Sequence, residues 1–169
     1  MITPEYVSVM AVYNRQMNER IYATAAHLPD AARRSDQGAF WGSIHATLGH
    51  LLWADQMWMS RFDGWEKPAA NLAASGCVAV EFEALWALRR DADARIEAWA
   101  LQMDATSVAG RLTWFSGAAN KMMTADRGGL LVHLFNHQTH HRGQVHAILT
   151  RLGEHTGDTD LWLVMAEPD

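Results

Sequence analysis

Apolar residues recur at helical spacing along four long stretches of the chain, with breakers between them. In the first, about Thr3 to Leu28, Tyr6, Met10, Tyr13, Met17 and Ile21 stand three or four positions apart, and Pro29 blocks continuation. The second runs from roughly Phe40 to Phe62 and stops at Gly64. The third, about Val78 to Met103, sets Phe82, Leu85, Trp86, Ile96 and Trp99 on one stripe. The fourth, about Ala125 to Leu152, meets Gly153, a residue suited to the left-handed conformation that closes helices. Four amphipathic helices joined by short connections predict an all-α four-helix bundle, in whose core facing helices can build a metal site.

The connections differ in character. Glu66 to Gly76, with Pro68, reads as a plain loop. Arg111 to Thr124 holds Leu-Thr-Trp-Phe, then Ser-Gly-Ala-Ala, then Asn-Lys-Met-Met, a pattern that predicts a short β-hairpin before the last helix. Gly128-Gly129 falls in the first turns of that helix and reads either as a frayed start or as bare backbone that another segment approaches closely. No repeat or linker divides the chain, so residues 1–169 are expected to form one domain.

Composition narrows the partners. With 169 residues, 49% of them hydrophobic, the chain can bury a core without disulfides. Nineteen acidic against fourteen basic side chains give a charge of -5, the wrong sign for tracking a phosphate backbone, so nucleic acid is not expected. Arg33-Arg34 and Arg89-Arg90 read as solvated surface pairs. The single Cys77 rules out an intramolecular disulfide and suits a reducing, cytoplasmic setting, and no segment has the pattern of a secretion signal or a membrane span. Most of the eight tryptophans are assigned to the core, while Trp114 and Phe115 on the hairpin are candidates for a pocket lid.

The chemistry concentrates in His133-Leu-Phe-Asn-His137-Gln-Thr-His140-His141, four of nine histidines within nine residues. On a helix, His137 and His141 lie about 40° apart and one turn apart, so their imidazoles can grip one ion. The spacing is that of an HExxH metalloprotease, but Gln138 stands where the general base would be, so the protease reading fails while the ligand pair survives. In the second helix, His45 and His50 point roughly 140° apart, so only one can face a shared centre. His50, with small residues a turn before and after it, is the better third ligand. His133 reads as a pocket liner or outer partner, and Asn136, Gln138 and Gln144 as amides able to orient imidazoles. His140, His146, His27 and His155 are left to other roles. Asp55 is expected in a buried ion pair or a helix-packing contact, with Arg142 as its partner.

Tyr13-Asn14 with Asn18, Leu48-Gly-His50-Leu-Leu-Trp-Ala-Asp55 with Trp58 and Arg61-Phe62, and above all Leu131-Val-His-Leu-Phe-Asn-His-Gln-Thr-His-His-Arg-Gly-Gln-Val-His146 resemble the DinB-like (DinB/YfiT) superfamily of bacterial damage-inducible proteins. The resemblance covers nearly the whole chain. It implies a four-helix bundle, commonly a homodimer, holding a divalent metal on three histidines that map onto His50, His137 and His141. The superfamily includes thiol-dependent S-transferases and a thiol-dependent maleylpyruvate isomerase. The expected function is therefore a metal-dependent enzyme, a thiol S-transferase or a hydrolase, acting on a small molecule with a low-molecular-weight thiol. Zinc or nickel leads the choice of ion, followed by iron or manganese, because imidazole accepts several first-row metals. The alternative is a non-catalytic stress-response protein in which the ion ties helices together.

Overall fold

In the computed structural model, residues 2–117 and 119–165 are described. Six helices and one hairpin follow in the order α1 (Pro4–Ala26), α2 (Asp30–Arg34), α3 (Ile44–Phe62), a 3₁₀ turn (Leu72–Cys77), α4 (Phe82–Ala100), β1 (Arg111–Ser116), β2 (Lys121–Asp126), α5 (Arg127–Arg151) and α6 (Trp162–Met165). The four long helices are the four predicted ones. α1 packs on α4 and α5, and α3 packs on the same two, which closes the ring of a four-helix bundle. The interior is filled by Val7, Tyr22, Ile44, Leu48, Leu52, Leu85, Ile96, Leu131, Phe135 and Leu149 among others. Among the described residues, no helix is long and apolar enough to cross a membrane.

Local chemistry sets the helix starts. Thr3, Ser43 and Asp126 each accept a hydrogen bond from a backbone N–H three residues on, satisfying a donor that has no partner within its own helix. Ser43 explains why α3 begins later than the apolar pattern suggested. Phe40 and Trp41 belong instead to a tight turn closed by Gly42, whose φ of 78° suits glycine. The hairpin forms as predicted, with Trp114 opposite Met123 and Thr113 opposite Thr124. Gly128 is buried, and a Cβ there would stand 3.3 Å from the Val108 carbonyl oxygen, so close approach rather than fraying accounts for it.

Two expectations need correction. The Glu66–Gly76 stretch is not a plain loop, because its end enters the 3₁₀ turn, which lies hard against α3. A Cβ on Gly49 would meet the Gly76 carbonyl oxygen at 2.6 Å, and a Cβ on Gly76 would meet Ala46 Cβ at 3.1 Å. Nor are the two arginine pairs solvated: only Arg34 and Arg90 are exposed. Arg33 donates to the carbonyls of Ala25, Ala26 and Leu28 at the end of α1 and lies over the Phe82 ring at 4.4 Å. Arg89 is 1% exposed and holds Asp55 at 2.7 Å and Asp93 at 2.9 Å.

That last contact belongs to a network through the bundle. Asn18 donates to both oxygens of Asp93, at 3.0 and 3.2 Å. Arg142 donates to Asn14 Oδ1, to Asn18 Oδ1 at 3.4 Å and to Gln138 Oε1 at 3.2 Å. All four long helices therefore contribute, and the predicted ion pair of Asp55 exists with Arg89 in place of Arg142. Burial pushes the Asp55 and Asp93 carboxyls up, while the Arg89 guanidinium pulls them back down. Replacing Arg89 by Met leaves two carboxylates buried without their cation, a change expected to cost about 3–5 kcal/mol. Removing the cation raises both carboxyl pKa values further, so the loss should be largest at neutral pH and shrink as acid protonates them. Urea melts of wild type and Arg89→Met at pH 7 and pH 5 check both the size and the direction.

Candidate metal centre

Three imidazoles meet where α3 faces α5. His50 comes from the middle of α3, and His137 and His141 from successive turns of α5. One ligand atom from each lies within 4.8 Å of the others, and the Nε2 atoms of His50 and His137 are 3.3 Å apart. For metal–nitrogen bonds of about 2.0–2.1 Å, a tetrahedral ion separates its ligand atoms by about 3.3–3.4 Å. His50 and His141 are buried and His137 is half-buried.

The far nitrogens are anchored. His141 Nδ1 stands 2.9 Å from Gln144 Oε1, and an amide oxygen only accepts, so Nδ1 carries the proton and Nε2 keeps its lone pair. His50 Nδ1 lies 2.8 Å from the Ser75 hydroxyl, which is fully buried and presented by the 3₁₀ turn. This is the outer-partner arrangement that metal-bound histidines normally require. Trp41 stacks on His50 with ring centroids 4.1 Å apart, and its buried indole N–H has no hydrogen-bond partner among the described residues. Among those residues the group contains no fourth histidine, cysteine or carboxylate. The set can thus hold a metal ion.

The electrostatics favour ligation. Burial lowers the pKa of His50 to about 4 and that of His137 to about 3, with repulsion from neighbouring imidazoles adding to both. Burial lowers that of His141 as well, against a raising effect of Gln144. Near neutral pH all three are uncharged, the form that binds metal.

The other candidates are distributed as follows. His45 turns its Nε2 to the Ala79 carbonyl oxygen at 2.9 Å, away from the centre. His133 sits at the rim, 5.8 Å from the His137 ring and edge-on to Trp58 at 5.2 Å. Gln144 fulfils the orienting role proposed for it, whereas buried Gln138 bonds the Leu51 carbonyl and Arg142, and Asn136 is exposed. His140 is exposed, His146 pairs with the Thr156 hydroxyl at 2.8 Å, and His27 pairs with Glu154 at 3.2 Å. Of the proposed lid, Trp114 turns inward to meet Trp58 at 5.6 Å, while the alternation of the strand leaves Phe115 56% exposed. A cavity of about 240 Å³ between α1, α5 and the segment before α6 lies elsewhere, lined by Tyr13, Met17, Arg142, His146 and Thr156.

The full length of the chain, residues 1–169, matches the DinB family model. The chain belongs to the DinB family. No curated protein matches it. The three histidines of this DinB protein are legible in its sequence, whereas Ser75 and Trp41 are not, because their closeness to His50 depends on how two connecting segments fold back.

For the metal-free protein the pKa shifts set a pH dependence. Below about pH 6.5 the unfolded chain protonates His50 and His137, whereas the folded chain resists doing so until about pH 4 or lower. The unfolded state then binds more protons, so stability should fall as pH drops from about 6.5 toward 4. Melting temperatures of chelator-treated protein across that range check this, and a His50→Phe variant should show a shallower slope.

Proposed function

We propose that this DinB protein is a metal-dependent enzyme that joins a low-molecular-weight thiol to a small electrophilic substrate. His50, His137 and His141 hold a divalent ion, with zinc or nickel the first choices. The observation that carries the reading is the convergence of three neutral imidazoles, two of them anchored through Nδ1, with no fourth histidine, cysteine or carboxylate in the group among the described residues. Bound there, the ion would supply Lewis acidity, lowering the pKa of a thiol or water or polarising a substrate oxygen. A hydrolase would use the same site with water in place of the thiol.

The chain's own groups contribute orientation and shelter. Ser75 and Gln144 fix the tautomer and direction of two ligands, and Trp41 and Trp53, both stacked on His50, keep water from its faces. The free indole N–H of Trp41 is a donor for a substrate oxygen. A second reading, in which the ion mainly ties helices together, is supported by the placement of the ligands on α3 and α5, with α4 between them in sequence. Any ion held only by the folded state raises the melting temperature, so the two readings divide on turnover. The structural one requires metal-loaded protein that is stabilised at pH 8 yet conjugates no thiol, and the catalytic one requires turnover that is lost with the ion.

The protein purified with zinc or nickel should carry one ion per chain by elemental analysis and should conjugate simple thiols to a chromogenic electrophile. His137→Ala should lose both properties, and Ser75→Ala should weaken metal affinity by about 10–100-fold. Undiminished metal content in His137→Ala would sink the assignment.

A homodimer is part of the proposal. Phe40, Val80, Leu101 and Trp162 are large apolar side chains left exposed, surface that a second copy would cover. Light scattering at micromolar concentration should give twice the chain mass, and a monomer there removes the claim.

A further inference from the structure

Arg61 closes the end of the same α3–α5 seam. It follows His50 by eleven positions, which returns it to within about 20° of the same helix face. Its guanidinium lies over the Trp58 ring at 4.4 Å and stands 5.7 Å from the Trp114 ring, which β1 brings across from the hairpin. Trp58 touches His133, and His133 neighbours His137. The rim of the centre facing the hairpin is therefore walled by two indoles and an imidazole, with one cation among them. Because the guanidinium folds back over Trp58, its charge lies about 12 Å along α3 from His50.

Among the described residues the cation lacks a counter-charge. Arg33, Arg89, Arg127 and Arg142 direct their donors to carbonyls, carboxylates or amides. Arg61 makes no hydrogen bond and no ion pair among the described residues, although it is half-buried. Its pKa is lowered by burial, and among the described residues no neighbouring carboxylate offsets that cost. A guanidinium stacked on an indole keeps its edge, with five N–H donors, free for a planar anion, and partial burial strengthens the pairing.

We infer that Arg61 is the anion subsite of the trihistidine centre, receiving the carboxylate of a substrate or thiol whose reacting end sits at His50, His137 and His141. The inference rests on the catalytic reading above and narrows it. The ligand is an anion whose carboxylate and reacting atom are separated by about 10 Å, the spacing left by the helical rise between the two ends.

A chemical ruler tests this. ω-Mercaptoalkanoates from 3-mercaptopropionate to 11-mercaptoundecanoate, each paired with its methyl ester, are titrated calorimetrically into the zinc-loaded protein. Each ester keeps the thiol and chain of its acid and removes only the charge. The acid should bind about tenfold or more tightly than its ester once the chain spans the gap, and about equally for the shortest member. Arg61→Gln should bring that ratio to about one at every length, and Arg61→Lys should retain part of it, with circular dichroism confirming that both variants fold. Equal binding of acid and ester at every length in the wild type, or a preference that survives in Arg61→Gln, overturns the subsite. If zinc is taken up and thiols bind without acid preference, the subsite fails and the metal reading stands. If zinc is not taken up, the metal reading fails, and the same ratios measured without zinc still decide whether Arg61 receives a carboxylate.

Discussion

The Arg89 guanidinium, buried between Asp55 and Asp93, is the contact around which the bundle is arranged. Three formal charges in an apolar interior are tolerated only when geometry and hydrogen bonds offset the loss of water. Asn18 meets Asp93, and Arg142 reaches Asn14, Asn18 and Gln138, so α1, α3, α4 and α5 each supply a member. Hydrophobic packing alone tolerates small slides of one helix past another. A network of this kind does not, because a slide of one turn would leave a buried charge without its partner.

The histidine centre depends on that register. On α5, Gln138 and Arg142 each follow a candidate ligand by one position, so the helix gives one face to the network and the adjoining face to His137 and His141. On α3, Asp55 stands five positions after His50 and points to the opposite side of the helix, toward Arg89. With both helices pinned by these neighbours, the distance between the His50 and His137 rings is set before any ion arrives. Preorganisation of this kind lowers the cost of binding, since the ligands need not be gathered from a mobile ensemble.

Much of this was legible in the sequence because helical periodicity carries it. The i, i+4 pair on α5, the choice of His50 over His45, the hairpin and the four helices all follow from spacing within single elements. What the sequence hid lies between elements. Ser75 sits in a stretch with no periodic pattern, and it reaches His50 only because Gly49 and Gly76 allow the 3₁₀ turn to touch α3; those two glycines were the available signal. Arg89 looked like half of a solvated pair because charged residues are usually exposed, and its partners lie on other helices. Trp41 was read into the second helix, whereas the Ser43 cap starts α3 later and frees the preceding turn to fold over His50.

The network also bears on what an ion would add. A metal on His50, His137 and His141 would tie α3 to α5, but the two helices are already tied on their inner faces through Asp55, Arg89, Asn18 and Arg142. Leu51, Leu52 and Leu131 add apolar burial to the core the two helices share. An ion bound only to the folded state would still add its binding free energy to stability, but the joint does not depend on it to form, unlike the joints of small domains that lack a core. Here the joint is packed and charge-locked without it. The cost runs the other way: three neutral imidazoles held in a protected pocket, with an indole N–H beside them left unpaired, are polar groups that apolar side chains of the same size would replace at a gain in stability. A fold that keeps such a group in its core while relying on a separate network for its register has the layout expected when the group serves binding.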